Sequence, residues 1–326
     1  MVPGRGTVGW GMDGRPRHRV RLTVAHRAIV AHDTVELVLV RPDGADLPRW
    51  EPGAHVDLHL PDGLTRQYSL CGEPDDGRSW TVCVHRAPNS RGGSSTVHAE
   101  LQVGRTVDVG TPRNHFPLED SDHYVFIAGG IGVTPLVPMA TEAARRGATV
   151  EFHLGGRTTA HLAYLDRLAR LGLARFVTYA ERDEGRLPVG PIMSGARGLV
   201  YCCGPAGLIE AVRHAALDRP GVGVRWEAFT PPESSTEPTA FDVELRQSGL
   251  TVRVATDQSI LDVVTAAGVF VPTSCEEGTC GSCETRVIAG RPDHRDAITQ
   301  HDDPAADEYM MVCVSRSRDP LLVLDL

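Results

Sequence analysis

Three cysteines stand close together near the end of this 326-residue chain, in the segment CEEGTCGSC from Cys275 to Cys283. With Cys313 they give the spacing C-x4-C-x2-C-x29-C. Clustered cysteines can form disulfides, hold zinc, carry out thiol redox chemistry or bind an iron–sulfur cluster. Structural zinc sites usually come as two close pairs of ligands, whereas here the fourth cysteine stands alone far downstream. This unequal spacing favours a [2Fe–2S] centre with Cys275, Cys280, Cys283 and Cys313 as ligands.

Two glycines within the same loop, Gly278 and Gly281, favour the same interpretation. Glycine allows the backbone to turn inward, so that its N–H groups can point at the sulfur atoms. Cys313 lies in MMVCVSR, which we expect to be a strand that reaches the cluster from the other side. The alternatives that remain are a zinc loop and reduced free thiols.

The residues around the cysteines resemble a plant-type ferredoxin domain over the whole of 241–326. FDVELRQSGLTVRVA predicts a hairpin, SILDVVTAAG a helix, and ETRVIAG and LLVLDL predict strands. Nearly all of the chain's net charge of −9 falls in this segment. An acidic electron carrier can be steered to a basic patch on its partner, although the charge can equally serve solubility.

The composition of the chain, 41% hydrophobic and 23% charged, is ordinary for a soluble globular protein. No apolar run approaches the roughly 20 residues of a transmembrane helix. The first residues are rich in Gly, Pro and Arg and lack the apolar core of a signal peptide. We therefore expect a cytoplasmic protein without a membrane partner. The negative net charge disfavours nucleic acid as a partner.

Changes in composition and in hydrophobic periodicity divide the chain into domains. Residues 1–19 read as a flexible leader, and the Pro- and Ser-rich residues 230–240 as a linker. Residues 20–118 form short alternating segments broken by Pro and Gly, which predicts an antiparallel β-barrel. Residues 119–229 alternate strand-like with helix-like runs, which predicts a parallel α/β domain. The fold class is thus a barrel, an α/β domain and a ferredoxin-like β-grasp domain over 241–326.

A glycine-rich turn, VFIAGGIGVTP, joins a predicted strand to a predicted helix and contains Gly130, Gly132 and Thr134. Glycine lets the backbone approach a pyrophosphate, and the N-terminus of the following helix favours its negative charge. An ordinary tight turn between strand and helix is the alternative. A second turn of this kind occurs in LVYCCGPAGLIEAV, with Cys203, Gly204 and Pro205.

The paired GGxGxTP and CGP turns resemble the nicotinamide domain of the ferredoxin–NADP⁺ reductase superfamily. The resemblance implies that Thr134 and Cys203 lie beside the nicotinamide, whereas Cys202 is expected to be an ordinary buried cysteine. Arg157 stands alone after the second strand, with no basic cluster for a 2′-phosphate. We therefore expect NADH rather than NADPH as the coenzyme.

The segment RQYSL resembles the flavin signature R-x-Y-S of the same superfamily. This resemblance implies that Arg66 pairs with a phosphate, that Tyr68 packs on the isoalloxazine and that Ser69 bonds near flavin N5. The turn HRAPNSRGGSSTVH resembles the flavin phosphate loop. Its candidate phosphate ligands are Arg91, Gly92, Gly93 and Ser94. A solvated loop is the alternative.

The order of barrel, nicotinamide domain and C-terminal ferredoxin resembles the phthalate dioxygenase reductase family, which includes vanillate O-demethylase reductases. The resemblance covers residues 20–326 and includes the segment SCEEGTCGSCETRVIAGRPDHRD. It implies FMN as the flavin. The segment RWEAF ends the second domain, and its Phe229 either covers the flavin face or belongs to the core.

These parts imply an electron-transfer chain from NADH through FMN to the [2Fe–2S] cluster. NADH supplies two electrons at once and the cluster takes one, so a flavin must stand between them. The expected partner is a terminal oxygenase of the Rieske type, either an aromatic-ring dioxygenase or an O-demethylase. A cytochrome P450 is the alternative partner, and a non-catalytic redox or metal-binding module is a minor alternative. We expect a monomer.

Overall fold

The structure, a computed structural model, describes residues 19–88, 92–231, 237–299 and 305–326. Almost all of the predicted leader and part of the predicted linker lie outside the described residues. The chain divides into two units, Met1–Leu187 and Pro188–Leu326.

A six-stranded antiparallel sheet begins the first unit, in the strand order β4-β3-β6-β1-β2-β5. Its strands are β1 (Arg19–Ala31), β2 (Thr34–Val40), β3 (His55–His59), β4 (Thr65–Ser69), β5 (Ser79–His85) and β6 (Thr106–Gly110). Alternation along β2 turns Val35, Leu37 and Leu39 inward, because successive side chains of a strand point to opposite faces. Helix α1 (Gly93–Glu100) follows β5.

The second half of the first unit has parallel strands separated by helices. β7 pairs with β8 and β8 pairs with β9, both in parallel. The elements are β7 (His123–Gly129), α2 (Val133–Arg145), β8 (Thr149–Gly156), α3 (Leu165–Ala169), β9 (Arg175–Ala180) and α4 (Glu181–Glu184).

Helix α3 is shorter than the helix that the run AHLAYLDRLARLG predicts. The residue before it, Tyr164, has a left-handed backbone with φ of +64°. Its hydroxyl donates to Glu36 at 2.7 Å and contacts the Cys71 sulfur at 3.1 Å. These contacts hold the Tyr164 ring beside Glu36 of β2 and Cys71. The left-handed backbone of Tyr164 prevents the helix from beginning earlier.

One glycine of the first unit has no space for a side chain. Gly53 has a φ of +95°, and a Cβ there would collide with the carbonyl oxygen of Phe116 and lie 2.8 Å from Met139 Cε. Asn114 donates to the Pro52 carbonyl at 3.0 Å. The loop before β3 is therefore packed tightly against the segment that follows β6.

The second unit begins with α5 (Val189–Gly195), β10 (Leu199–Cys203), α6 (Ala206–Ala216) and β11 (Gly223–Glu227), and β10 pairs with β11 in parallel. A five-stranded sheet of order β13-β12-β18-β14-β16 follows, with β15 and β17 as a separate pair. Its elements are β12 (Phe241–Leu245), β13 (Leu250–Val254), α7 (Ile260–Ala266), β14 (Glu284–Ala289), β15 (Pro292–Asp293), β16 (Tyr309–Met311), β17 (Arg316–Ser317) and β18 (Leu321–Leu324).

The predicted hairpin, helix and strands of this last sheet all form. The Ser259 side chain accepts from the backbone of Asp262, and the Asp262 side chain accepts from the backbone of Ser259, so α7 begins with a capping box. Cys313 differs from its expectation, because β16 ends at Met311 and the cysteine lies in the turn that follows. Such a turn can bring the sulfur to the cysteine loop without a ladder of strand hydrogen bonds.

The predicted fold class is confirmed: an antiparallel barrel sheet, an α/β region with parallel strands, and a ferredoxin-like sheet. In the part of the chain that the structure describes, no helix is both long and apolar enough to cross a bilayer.

Candidate electron-transfer site

The four candidate cluster ligands are buried and lie in two pairs. Cys275 and Cys280 are within hydrogen-bonding distance of each other, and so are Cys283 and Cys313. Each sulfur is at least partly withdrawn from solvent, since none of the four residues is more than 8% exposed. The structure thus brings Cys313 to the loop that holds the other three, despite 29 intervening residues.

Backbone N–H groups of the loop point at these sulfurs. Glu277 and Thr279 donate to Cys275 Sγ at 3.3 and 3.4 Å, and Ser282 donates to Cys280 Sγ at 3.5 Å. The loop can do this because Gly278 and Gly281 have φ of +70° and +71°. The hydrogen bond from Cys280 and those from Thr279 and Glu277 lower the pKa of Cys275 to about 5, although burial opposes the shift.

This donor set fits a [2Fe–2S] centre. Two irons each need two protein thiolates, and the loop offers two pairs of thiols with donors aimed at them. Within the described ranges, no three or more His, Cys, Asp or Glu side chains surround one point as ligands of a single ion.

Arg66 lies against the N-terminus of α1, where the sequence predicts a flavin phosphate. A Cβ added to Gly93 would lie 2.5 Å from Arg66 Cγ and 2.9 Å from Arg66 Nε, so only glycine leaves room for this arginine. Gly92, just before the helix, has φ of +90°. A guanidinium beside the N-terminus of a helix suits a phosphate group. The residues present therefore fit the terminal phosphate of FMN.

Two other residues of this predicted site, Tyr68 and Ser69, lie on β4 with Arg66. Tyr68 is half-buried against the barrel core, and burial raises its pKa to about 12. Ser69 is buried at the end of β4, opposite His55. Ser94 accepts from the Ala87 backbone at 3.2 Å. Arg91 lies outside the described residues.

Sequence reasoning missed a buried ion pair beneath this strand. Arg113 donates to both oxygens of Asp57, at 2.7 and 2.9 Å, and Gln67 donates to Asp57 at 2.7 Å. Burial would raise the pKa of Asp57, but the charge and hydrogen bonds of Arg113 lower it to about 2. Gln67 lies between Arg66 and Tyr68 on β4. Its hydrogen bond to Asp57 therefore holds β4 in place beside the ion pair. A charged residue in the otherwise apolar AHVDLHL was the available signal.

The first glycine-rich turn joins a strand to a helix, as the sequence predicts. β7 ends at Gly129, Gly130 to Gly132 form a 3-10 turn, and α2 begins at Val133. Gly130 has φ of +55° and open space around its Cα. Thr134 is buried in the first turn of α2, and its hydroxyl donates to the Ile131 carbonyl at 2.9 Å. The helix N-terminus and the glycines can thus face an anion together.

Arg157 is exposed directly after β8, near the end of β9. Its carbonyl oxygen accepts from the Arg182 backbone at 3.2 Å, which ties the two strand ends together. The ends of these parallel strands are where a dinucleotide's ribose lies in doubly wound folds. The coenzyme contact predicted for Arg157 stays a prediction.

The second turn places Cys203 at the end of β10, followed by Gly204 and by Pro205 immediately before α6. Cys203 is fully buried and lies opposite Glu227 in the β10–β11 pair. Burial, and then the nearby Glu227, raise the pKa of the Cys203 thiol well above its usual value. At neutral pH the group is an uncharged thiol.

Glu227 is a second residue that sequence reasoning missed. Burial raises the pKa of its carboxyl to about 8, and Oε2 has no hydrogen-bond partner among the described residues. It can therefore hold a proton beside Cys203 near neutral pH. Its position in RWEAF, two residues before Phe229, was the only available signal. Phe229 itself is 41% exposed in a bend after β11, so it is not a core residue.

Four buried thiols in two pairs, a barrel with an arginine beside a helix N-terminus and a glycine-rich turn before a helix define an iron–sulfur flavoprotein reductase. The model of the 2Fe-2S iron-sulfur cluster binding domain matches residues 243–318. This range includes all four candidate cysteine ligands.

Two curated relatives match nearly the whole chain. Phenoxybenzoate dioxygenase subunit beta of Ectopseudomonas oleovorans is 39% identical over 310 residues, covering 94% of this chain and 97% of the relative. Vanillate O-demethylase oxidoreductase of Pseudomonas sp. (strain HR199 / DSM 7063) is 38% identical over 316 residues, covering 94% of this chain and 100% of the relative.

Solved structures agree with this relationship. Phthalate dioxygenase reductase, described as a modular structure for electron transfer from pyridine nucleotides to [2Fe–2S], is 34% identical with a TM-score of 0.67, covering 94% of this chain and 98% of its own. An intact type IV self-sufficient cytochrome P450 monooxygenase is 38% identical with a TM-score of 0.86 over 94% of this chain. The chain spans only 41% of that longer protein.

The chain belongs to the phthalate dioxygenase reductase family, and it is an oxidoreductase that carries a [2Fe–2S] domain.

Proposed function

We propose that this chain is the reductase component of an oxygenase system, carrying electrons from NADH through FMN and a [2Fe–2S] cluster to a terminal oxygenase. The flavin supplies the conversion of a two-electron donor into single electrons. The protein's own part is to bind and orient the two nucleotides, to exclude water from them and to hold the cluster.

The flavin phosphate is held by Arg66 and by the start of α1. Gly93 leaves space for Arg66, and Gly92 turns the backbone so that N–H groups face the phosphate. Arg91 and Ser94 are assigned to the same phosphate on the family resemblance. Tyr68 supports the ring system, and Ser69 is positioned to donate a hydrogen bond near flavin N5.

The coenzyme is held by the two turns that follow parallel strands. Gly130 and Gly132 approach its pyrophosphate at the start of α2, and Arg157 contacts its adenosine end. The remaining residues are assigned to the nicotinamide end: Thr134, Cys203, Gly204, Pro205 and Phe229. An uncharged Cys203 suits that place, since a thiol packs against an aromatic ring without adding charge.

The domain boundaries are proposed at residues 20–118 for the FMN barrel, 119–229 for the NADH domain and 241–326 for the ferredoxin domain. Residues 1–19 and 230–240 are a leader and a linker. The protein is proposed to be a cytoplasmic monomer that binds neither nucleic acid nor membrane.

The observation that carries this proposal is the pairing of the four buried thiols within the matched [2Fe–2S] domain. The test is a visible absorption spectrum of the purified protein before and after anaerobic NADH, with the released flavin identified by chromatography. Overlapping flavin and iron–sulfur bands that NADH bleaches, with FMN in the extract, support the proposal. A protein without flavin, or bands unchanged by NADH, contradict it.

The partner is proposed to be a Rieske-type oxygenase, as the family resemblance implies. Two relatives named as a dioxygenase subunit and an O-demethylase oxidoreductase support an oxygenase partner. A cytochrome P450 is the second candidate, because the similar P450 monooxygenase contains a region like this whole chain. Anaerobic stopped-flow mixing of the reduced protein with a Rieske oxygenase and with a P450 discriminates them. Faster reduction of the Rieske centre supports the first candidate, and faster haem reduction the second.

A further inference from the structure

A buried carboxylate, Asp296, lies beside the cysteine loop without any role in the proposed electron path. Its side chain is 0% exposed. One oxygen, Oδ1, accepts from the backbone of Ile298 at 3.0 Å and of Thr299 at 2.7 Å. The other, Oδ2, accepts from the Ser315 hydroxyl at 3.0 Å. A carboxylate with this many donors remains charged although it is buried.

A single glycine separates Asp296 from a cluster ligand. A Cβ on Gly278 would lie 3.1 Å from both Cα and Cβ of Asp296, and the Gly278 carbonyl accepts from Ala297 at 2.9 Å. The backbone N–H of the same Gly278 points at the Cys313 sulfur. Cα and Cβ of Asp296, together with Val314 Cγ2 at 2.6 Å, therefore pack against the place where Gly278 lacks a side chain.

His294 connects this carboxylate to the surface. Its Nδ1 lies 3.6 Å from Asp296 Oδ2, and its Nε2 lies 3.3 Å from Oδ1 of the exposed Asp307. Burial acts to raise the pKa of Asp296, but His294 and the backbone donors lower it to about 2. The negative charge of Asp296 is thus present throughout the neutral range.

We propose that Asp296 is a positioning residue for the [2Fe–2S] centre, which packs the cysteine loop through Gly278 and lowers the cluster's reduction potential through its fixed negative charge. The inference rests on the proposed cluster site. Adding an electron beside a buried negative charge is unfavourable, because little solvent screens the repulsion. The family resemblance includes the segment GRPDHRD but gives it no role. The proposal gives this segment a role through its last residue, Asp296.

The test is an EPR-monitored redox titration of the full-length protein. Asp296→Asn keeps the shape and removes the charge, so the equilibrium constant for cluster reduction should rise about tenfold, which for one electron is about 59 mV. Ser315→Ala keeps the charge and removes a donor that disperses it, so that constant should fall. Asp242→Asn, which removes an exposed carboxylate of β12 paired with Arg253, is the control and should change it less than twofold.

Opposite shifts in the two variants support the proposal. Shifts in the same direction overturn it, because loosened packing would admit water to the cluster in both. The proposal is also overturned if Asp296→Asn and Asp242→Asn change the equilibrium constant for cluster reduction equally. If Asp296→Asn assembles no cluster, the sign in Ser315→Ala decides: a fall supports the proposal, and a rise or no change overturns it. A wild-type protein without a [2Fe–2S] signal shows separately that the proposed function is wrong.

Discussion

Cys203 and Glu227 lie directly opposite each other in the parallel strands β10 and β11, where Cys203 is fully buried and Glu227 is half-buried. A thiol and a carboxyl without a compensating cation form an unusual pair, because each resists ionisation in the presence of the other. Burial raises the pKa of Glu227 to about 8. Both groups therefore hold a proton near neutral pH, at the place assigned to the nicotinamide. The raised pKa of Glu227 also makes the stability of the protein depend on pH.

The first prediction concerns this carboxyl. Its pKa is higher in the folded than in the unfolded chain, so the folded protein binds more protons between about pH 4.5 and 8, and stability falls as the pH rises through that range. Glu227→Gln should remove this pH-dependent loss. The free energy of unfolding of the variant relative to wild type should therefore increase by about 3 kcal/mol from pH 5 to pH 8. Urea unfolding at both pH values measures it. Glu210→Gln, at an exposed position on α6, is the control. An identical pH dependence in wild type and Glu227→Gln would contradict the assignment.

The second prediction concerns the space beside Arg66. Gly93→Ala places a methyl group 2.5 Å from Arg66 Cγ, so the guanidinium must leave the helix N-terminus. We expect FMN to bind the flavin-free protein about tenfold more weakly, equivalent to about 1.4 kcal/mol. Fluorescence titration with FMN measures the affinity. Gly77→Ala, at a glycine with open surroundings, should leave it unchanged. Equal affinities for both variants would place the phosphate elsewhere.

The third prediction concerns the ion pair of Asp57 and Arg113. Asp57→Asn leaves a largely buried guanidinium without its counter-charge, which should lower the free energy of unfolding by about 3 kcal/mol at pH 7. Because the folded pKa of Asp57 is lowered to about 2, its stabilisation is present above the unfolded pKa and is lost as the pH falls through 2. The difference between variant and wild type should therefore shrink below pH 4.

A matched control lies in the same sheet. Asp108 pairs with Arg21 at 2.8 Å, but both side chains are exposed. Asp108→Asn should cost less than about 1 kcal/mol, since solvent screens such pairs. Denaturant unfolding of both variants gives the comparison, and equal losses would show that burial of the Asp57 pair contributes nothing.

The fourth prediction separates the two halves of the electron path. Cys313→Ser removes one thiol of the Cys283–Cys313 pair, so the [2Fe–2S] absorption and EPR signals should disappear while NADH still bleaches the flavin. Iron content and anaerobic spectra measure the two effects. Cys202→Ala, at a buried cysteine of β10, should keep the cluster. A cluster retained at wild-type occupancy in Cys313→Ser would mean that another residue supplies the fourth ligand.

The clustering of the cysteines in one loop and the strand–turn–helix form of both glycine turns could be predicted, because both features are local in sequence. Cys275, Cys280 and Cys283 share one loop, and a glycine turn needs only its own residues and the helix after it. The ion pair of Asp57 and Arg113 could not be predicted in this way, because its partners are 56 residues apart and only the sheet brings them together. The environment of Glu227 could not be predicted for the same reason, since it depends on packing rather than on neighbours in sequence.

The extent of secondary structure shows a similar limit. The periodicity of AHLAYLDRLARLG predicts a helix of several turns, but only α3 forms, because Tyr164 is drawn toward Glu36 in the first sheet. Cys313 likewise leaves its predicted strand for a turn, where its sulfur can reach Cys283. In both segments a tertiary contact outweighs the local preference.

The close approach at Gly53 determines where this protein can be cut and rejoined with a relative. Its backbone meets Phe116 and the Met139 side chain of α2 with no space for a Cβ. A chimera that takes its barrel from one parent and its α2 from another must therefore match this three-way contact, even where each part is intact. Exchange of the C-terminal segment after residue 240 leaves the contact untouched, so this packing sets no limit on such an exchange.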